Sequence, residues 1–202
     1  LVAPTFLSAD RPDQAPPFQR ELLTLNDLAK KLRAERFAHG AVNFETVEVR
    51  FRLDEVGKPL GVFQKVRVDA HKLIEEFMLL ANKRVAEFVF HKKKDDPRNT
   101  MVYRIHEAPD IDKLKTFATF AQKLGYKLKI DGTNVSRALN HLMESVEGKP
   151  EQNVIESLAV RTMAKARYAT DPVGHFGLAF EHYSHFTSPI RRYPDMMAHR
   201  LL

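Results

Sequence analysis

Residues 69–92, DAHKLIEEFMLLANKRVAEFVFHK, run without a glycine or proline and read as one long helix. Asp69 stands where it can cap that helix, and Ile74, Phe77, Met78, Ala81, Val85 and Phe88 form a continuous apolar stripe along it. A helix of this kind is stable only when its apolar face is covered, so the rest of the chain must pack along it. Placed at 100° per residue, Lys72, Glu76, Lys83 and Glu87 share the arc opposite the stripe and are expected in solvent, Lys72 and Glu76 as an i,i+4 pair. His71, Glu75 and Asn82 fall within about 40° of one another, on the edge of the apolar face. A carboxylate there needs partners, because burying it alone is costly. Two readings stay open: a structural hydrogen-bond network, or a polar cluster facing a ligand.

The other elements follow from their punctuation. Residues 1–20 carry Pro4, Pro12, Pro16 and Pro17 and read as a linker or lead-in segment. From Glu21 an amphipathic helix is expected, with Leu25, Leu28 and Leu32 on its apolar face, Lys30, Lys31 and Glu35 turned away, and Gly40 at its stop. TVEVRFRL alternates strictly, DEVGKP supplies a turn and LGVFQKVRV returns, which predicts a hairpin. KKKDDPRN reads as a solvated turn, MVYRI as a short strand, and helices are expected near 110–124, 133–146 and 151–167. Residues 168–202 differ, being rich in Gly, His, aromatics and Arg with little periodicity until their end. Chemistry concentrates in such segments.

Composition narrows the function classes. The 202 residues carry a formal charge of +6, which favours an anionic partner such as nucleic acid or a membrane surface. With no cysteine there is no disulfide scaffold, thiolate zinc site or cysteine nucleophile, which suits a reducing, cytoplasmic setting. No apolar run is long enough to span a bilayer, and LVAPTFLSA lacks the charged start of a signal peptide. Opening on Leu and stopping in HRLL within a helical pattern, the chain reads as a piece of something longer.

HFTSPIRRYPD, residues 185–195, sets Arg191 and Arg192 between two prolines. Ser188 before Pro189 is a helix-start signature, while Pro194 disfavours helical geometry at Tyr193. A helix from Pro189 therefore either carries Pro194 in its first turns or restarts at Asp195. Both place the arginines near a helix N-terminus, where free N–H groups and a guanidinium fork together favour a phosphate. If the helix runs through, Arg191, Asp195 and His199 share a face, and Asp195 could hold Arg191 in a plain salt bridge. His175, His182 and His185 raise a zinc site, but no fourth ligand is evident.

Residues 174–202, GHFGLAFEHYSHFTSPIRRYPDMMAHRLL, closely resemble the late part of the catalytic domain of the ribonuclease II and ribonuclease R (RNB) family, nearer to the ribonuclease R branch. DAHKLIEEFMLLAN at 69–82 resembles that family's central helix, and LNDLAKKLRAERFAHGAVNF and YRIHEAP fall in matching order. The resemblance covers residues 21–202 and implies an α+β fold, helix-rich with a β-hairpin and short strands, forming the later portion of an RNB-type catalytic domain. It implies a processive 3′-to-5′ exoribonuclease acting on single-stranded RNA, as a cytoplasmic monomer with no membrane partner. By the same resemblance Arg191 grips a backbone phosphate, Glu75 lines the RNA path, Phe44 stacks on a base near the 3′ end, and His71, Arg192 and Tyr193 contact RNA. Phe44 also reads as a core residue just before the hairpin.

The family's chemistry implies Mg²⁺ held by an aspartate cluster upstream of the matched region, and no equivalent is seen here. Asp95 and Asp96 sit in the charged turn, Asp10 and Asp13 in the Pro-rich lead-in. The expectation is a fragment without the metal ligands, inactive alone; the alternative is a non-catalytic RNA-binding module derived from the nuclease.

Overall fold

The computed structural model describes residues 18–43, 48–65, 67–92, 100–130 and 135–202. Helix α1 (Gln19–Ala38) ends at Gly40, whose φ of 99° only glycine adopts readily and whose Cβ would meet Ser136 Oγ at 2.9 Å. Strands β1 (Glu48–Leu53) and β2 (Pro59–Lys65) form the expected hairpin. Its turn is closed by Asp54, whose carboxylate accepts the N–H groups of Val56 at 3.0 Å and Lys58 at 2.8 Å. Phe51 pairs with Val62, yet the apolar face they share with Val49 and Leu53 is exposed.

Helix α2 (Asp69–Lys92) is followed by β3 (Tyr103–Ile105), α3 (Ile111–Lys123), α4 (Val135–Val146), α5 (Gln152–Thr162), β4 (Arg167–Ala169) and α6 (Tyr193–Leu201). Asp110 caps α3 by accepting from Asp112 and Lys113 N–H. Leu139, Leu142, Met143 and Val146, at helical spacing on α4, pack with Leu114 and Phe117 of α3 and Ile155 and Ala159 of α5 into one apolar core. A second core joins Ala86 and Val89 of α2 to Tyr103 and Ile105 of β3 and Ala198 of α6. The helix expected over 151–167 stops at Thr162 because the chain then extends and Arg167–Ala169 pairs antiparallel with β3. Among the described residues no helix is long and apolar enough to cross a membrane.

Two helices turn other faces inward than their leucine and aromatic patterns imply. On α1, Leu25 and Leu28 are exposed, while Asn26, Ala29 and Arg36 are buried. On α2, Ile74 and Phe88 are exposed, and Leu73, Glu76, Leu79, Asn82, Ala86 and Val89 are buried. The reason is polar. Arg36 forms a bidentate pair with Glu76, Nε donating at 3.3 Å, and Arg33 lies 3.7 Å from the same carboxylate. Asp69 opens α2, but its carboxylate faces α1, taking Lys30 at 3.2 Å and Asn26 at 3.4 Å. Those bonds hold its carboxyl below the usual range, Lys30 contributing most. Glu76, expected in solvent, is thus the buried centre of the α1–α2 contact.

Candidate nucleic-acid interface

The segment 182–192 leaves β4 and the aromatic loop after it and leads into α6. Its backbone is tied at Tyr183 and at each residue from Phe186 to Ser188. Tyr183 C=O accepts from Arg104 N–H at 2.9 Å, and Ser184 Oγ donates to Val102 C=O. Asn82 Oδ1 accepts the N–H groups of Phe186 at 2.9 Å and Thr187 at 3.2 Å. Asp195 Oδ1 accepts the N–H of Ser188 at 2.7 Å and a guanidinium N–H of Arg192 at 2.7 Å. His199 stacks on Phe186 with ring centroids 4.2 Å apart.

Out of this scaffold projects a short turn at 189–191, closed by Arg191 N–H to Ser188 C=O at 3.3 Å. Ile190 is 97% exposed, and the exposed Arg191 guanidinium makes no ion pair or hydrogen bond among the described residues. Ser188 does not start a helix: α6 begins at Tyr193 with Pro194 in its first turn and Arg192 as N-cap. Asp195 therefore holds Arg192, not Arg191, because with no helix at 189–192 the i,i+4 geometry from Arg191 never forms. The two adjacent arginines are thereby divided, one half-buried in an ion pair and one free. Tyr193 is 63% exposed beside them.

The remaining sequence-derived candidates lie elsewhere. Glu75, half-buried on the first turns of α2, is bonded to Arg67. His71 is exposed, and its Nδ1 accepts Val68 N–H at 3.3 Å. Phe44 lies outside the described residues, as do Asp10, Asp13, Asp95 and Asp96. Glu75 and His71 bond to Arg67 and Val68 and not to the 189–193 turn; Asn82, two helical turns beyond Glu75, does reach its scaffold. Sequence reasoning grouped Asn82 with His71 and Glu75 and passed over Tyr183, whose hydroxyl takes Asn82 Nδ2 at 3.0 Å. A fully polar side chain on the buried arc of an apolar helix was the available signal for Asn82; Tyr183 lies in the loop before α6, where no periodicity marks it.

The histidines of this region are structural. His106 accepts Gly177 N–H on Nδ1 at 3.1 Å and meets Ala164 C=O from Nε2 at 2.8 Å, which places its proton on Nε2. His175 abuts His106 and Tyr183, His182 stacks on Phe90, and His185 Nδ1 meets Tyr168 OH at 2.6 Å. His182 has only ring contacts, its Nδ1 being buried without a hydrogen-bond partner, and among the described residues no three His, Asp or Glu side chains converge as a cation would require. Asp195 Oδ2 is buried without a partner, but its carboxylate is already paired with a guanidinium. These residues do not fit a divalent cation.

Burial pushes His175 down to about 3, with His106 adding to the effect, and His185 down to about 4, where burial acts with Arg192 and Arg104 and against Asp195. Both rings are neutral in the folded chain, whereas unfolded they titrate near 6.5. Between pH 7.5 and 5.5 the unfolded state takes up protons that the folded state does not, so stability falls with acid. The expected loss over that interval is about 2 kcal/mol, a drop of roughly 5 °C in Tm. Thermal unfolding across this range checks it: His175→Gln with His185→Gln should flatten the slope, and an unchanged slope would clear these rings as its cause.

A family model described as RNB domain matches residues 4–202. Ribonuclease R of Aquifex aeolicus is 39% identical over 187 residues, covering 93% of this chain and 26% of that protein. The fold matches Mycoplasma genitalium RNase R in complex with ribose-methylated single-stranded RNA at a TM-score of 0.81, with 28% identity over 95% of this chain and 29% of that one. It matches the same enzyme in complex with double-stranded RNA at 0.82, with 29% identity over 95% and 34%. The chain spans about a quarter of the length of the curated relatives it matches.

Proposed function

The chain belongs to the RNB domain family, and on that premise we propose that it is the later portion of the catalytic domain of a 3′-to-5′ exoribonuclease. In the full-length protein, single-stranded RNA is hydrolysed processively to nucleoside monophosphates, and this portion grips the RNA. The observation that carries the reading is the free, exposed guanidinium of Arg191 on a turn braced from two helices. A planar fork so presented can take two oxygens of one backbone phosphate, and the first turn of α6 adds free N–H groups and a positive helix end. Arg192 supplies charge from its pair with Asp195, and Tyr193 offers a ring to a ribose or base. Glu75 and His71 line the approach of the RNA 3′ end, and Phe44 stacks its terminal base, a contact worth about 1–3 kcal/mol.

Magnesium is the cofactor that the family's chemistry implies, with ligands outside this chain, and the enzyme works as a cytoplasmic monomer. A denaturing-gel time course tests the proposal, using 5′-labelled single-stranded RNA, Mg²⁺, this chain and the full-length protein side by side. Shortening by the full-length protein alone is expected. Degradation by this chain alone would mean that it holds a metal site of its own. Salt-dependent RNA binding without cleavage by either would favour a non-catalytic binding module.

A further inference from the structure

Within itself the Arg191 turn has only Pro189 and the 3.3 Å bond from Arg191 N–H to Ser188 C=O; the rest of its support is the backbone just before it. Phe186 and Thr187 present adjacent N–H groups to one oxygen, Oδ1 of Asn82, on a side chain only 1% exposed. The carboxamide is fixed in turn by Nδ2 donating to the buried Tyr183 hydroxyl at 3.0 Å. Asp195 takes the next N–H, that of Ser188. Three successive backbone donors are thus tied to α2 and α6 immediately before the turn that carries Arg191.

We propose that Asn82 is a positioning residue for RNA cleavage: it fixes the 186–188 backbone against α2 and so sets where Arg191 meets the phosphate. The inference rests on Arg191 being the phosphate grip. Asn82 and Glu75 lie on nearly the same line of α2, two turns apart, so the bonds of Asn82 also set the register between the Arg191 turn and the Glu75 end of the helix. The acceptor oxygen makes the tie, and the bond to Tyr183 fixes its direction. Leucine at 82 would strand two N–H groups beside an apolar wall, and the segment would shift to satisfy them. Aspartate would keep the acceptor and could receive the Tyr183 O–H.

The test uses the full-length protein and single-turnover cleavage of saturating 5′-labelled single-stranded RNA, with RNA affinity measured separately. Asn82→Leu should slow cleavage about tenfold, a partial version of the ~100-fold that a 1 Å misplacement can cost. Asn82→Asp should stay within about threefold of the parent protein, since it keeps the bonds to the 186–187 backbone. In the Arg191→Lys background, Asn82→Leu should add almost nothing, because both act through one group. A purely structural role would lower the unfolding temperature while leaving the low-temperature rate unchanged, or multiply with Arg191→Lys; either result overturns the inference. Should Asn82→Leu not fold, Tyr183→Phe, which frees only Nδ2, should slow cleavage about threefold, again without effect beside Arg191→Lys. Full activity in Arg191→Lys would overturn the grip reading and this inference with it. A slow Arg191→Lys beside a fast Asn82→Leu would overturn the inference alone.

Discussion

Arg191→Lys in the full-length protein should reduce the rate of RNA cleavage about 100-fold, the scale seen when one donor to developing charge is removed. Its thermal stability should be unchanged. The side chain makes no hydrogen bond or ion pair among the described residues, so its replacement strands no partner there. Lysine keeps the charge but not the fork, and a point charge cannot hold two phosphate oxygens in a plane. Long-range attraction should survive, so affinity for RNA should fall far less than turnover. The neighbouring Arg192→Lys should behave in the opposite sense, losing stability, because Arg192 satisfies the buried Asp195. Turnover of Arg191→Lys within twofold of the parent would sink the phosphate-grip role.

Glu76→Ala should be the most damaging single change to the fold. It leaves the Arg36 guanidinium, 6% exposed as a side chain, without its bidentate carboxylate, and removes the Arg33 contact as well. Breaking a buried pair by deleting one partner costs about 3–5 kcal/mol, which for a chain of this size lowers Tm by roughly 10 °C. Replacing both partners together with apolar residues of similar volume should cost much less, since no charge is then left buried. Urea unfolding at pH 7 reads the difference. An unchanged midpoint for Glu76→Ala would show that the pair is not what joins α1 to α2.

These two residues also show what could be read without coordinates. Arg191 stood out because its signal is local: two prolines, a serine and two arginines within eleven residues constrain one another whatever surrounds them. Glu76 was misplaced because the apolar count along α2 could not register the two arginines of α1, which lie forty or more residues away in sequence. On the same two helices Leu25, Leu28, Ile74 and Phe88 are exposed. Hydrophobic periodicity assigns a helix its inner face only when no buried ion pair competes for that face.

What the sequence by itself determined is most of the elements: the stop at Gly40, the turn opened by Asp54, the unbroken run of α2, and the proline-bounded arginine pair with its family signature. Those depend on backbone dihedrals and hydrogen bonds a few residues apart, which residue types impose directly. Only the tertiary structure decided which faces of α1 and α2 turn inward, that Asn82 reaches across to 186 and 187, and that Asp195 takes Arg192 and leaves Arg191 free. Each of those choices is made between groups that compete for one partner, and the winner is set by which elements the packed chain brings together.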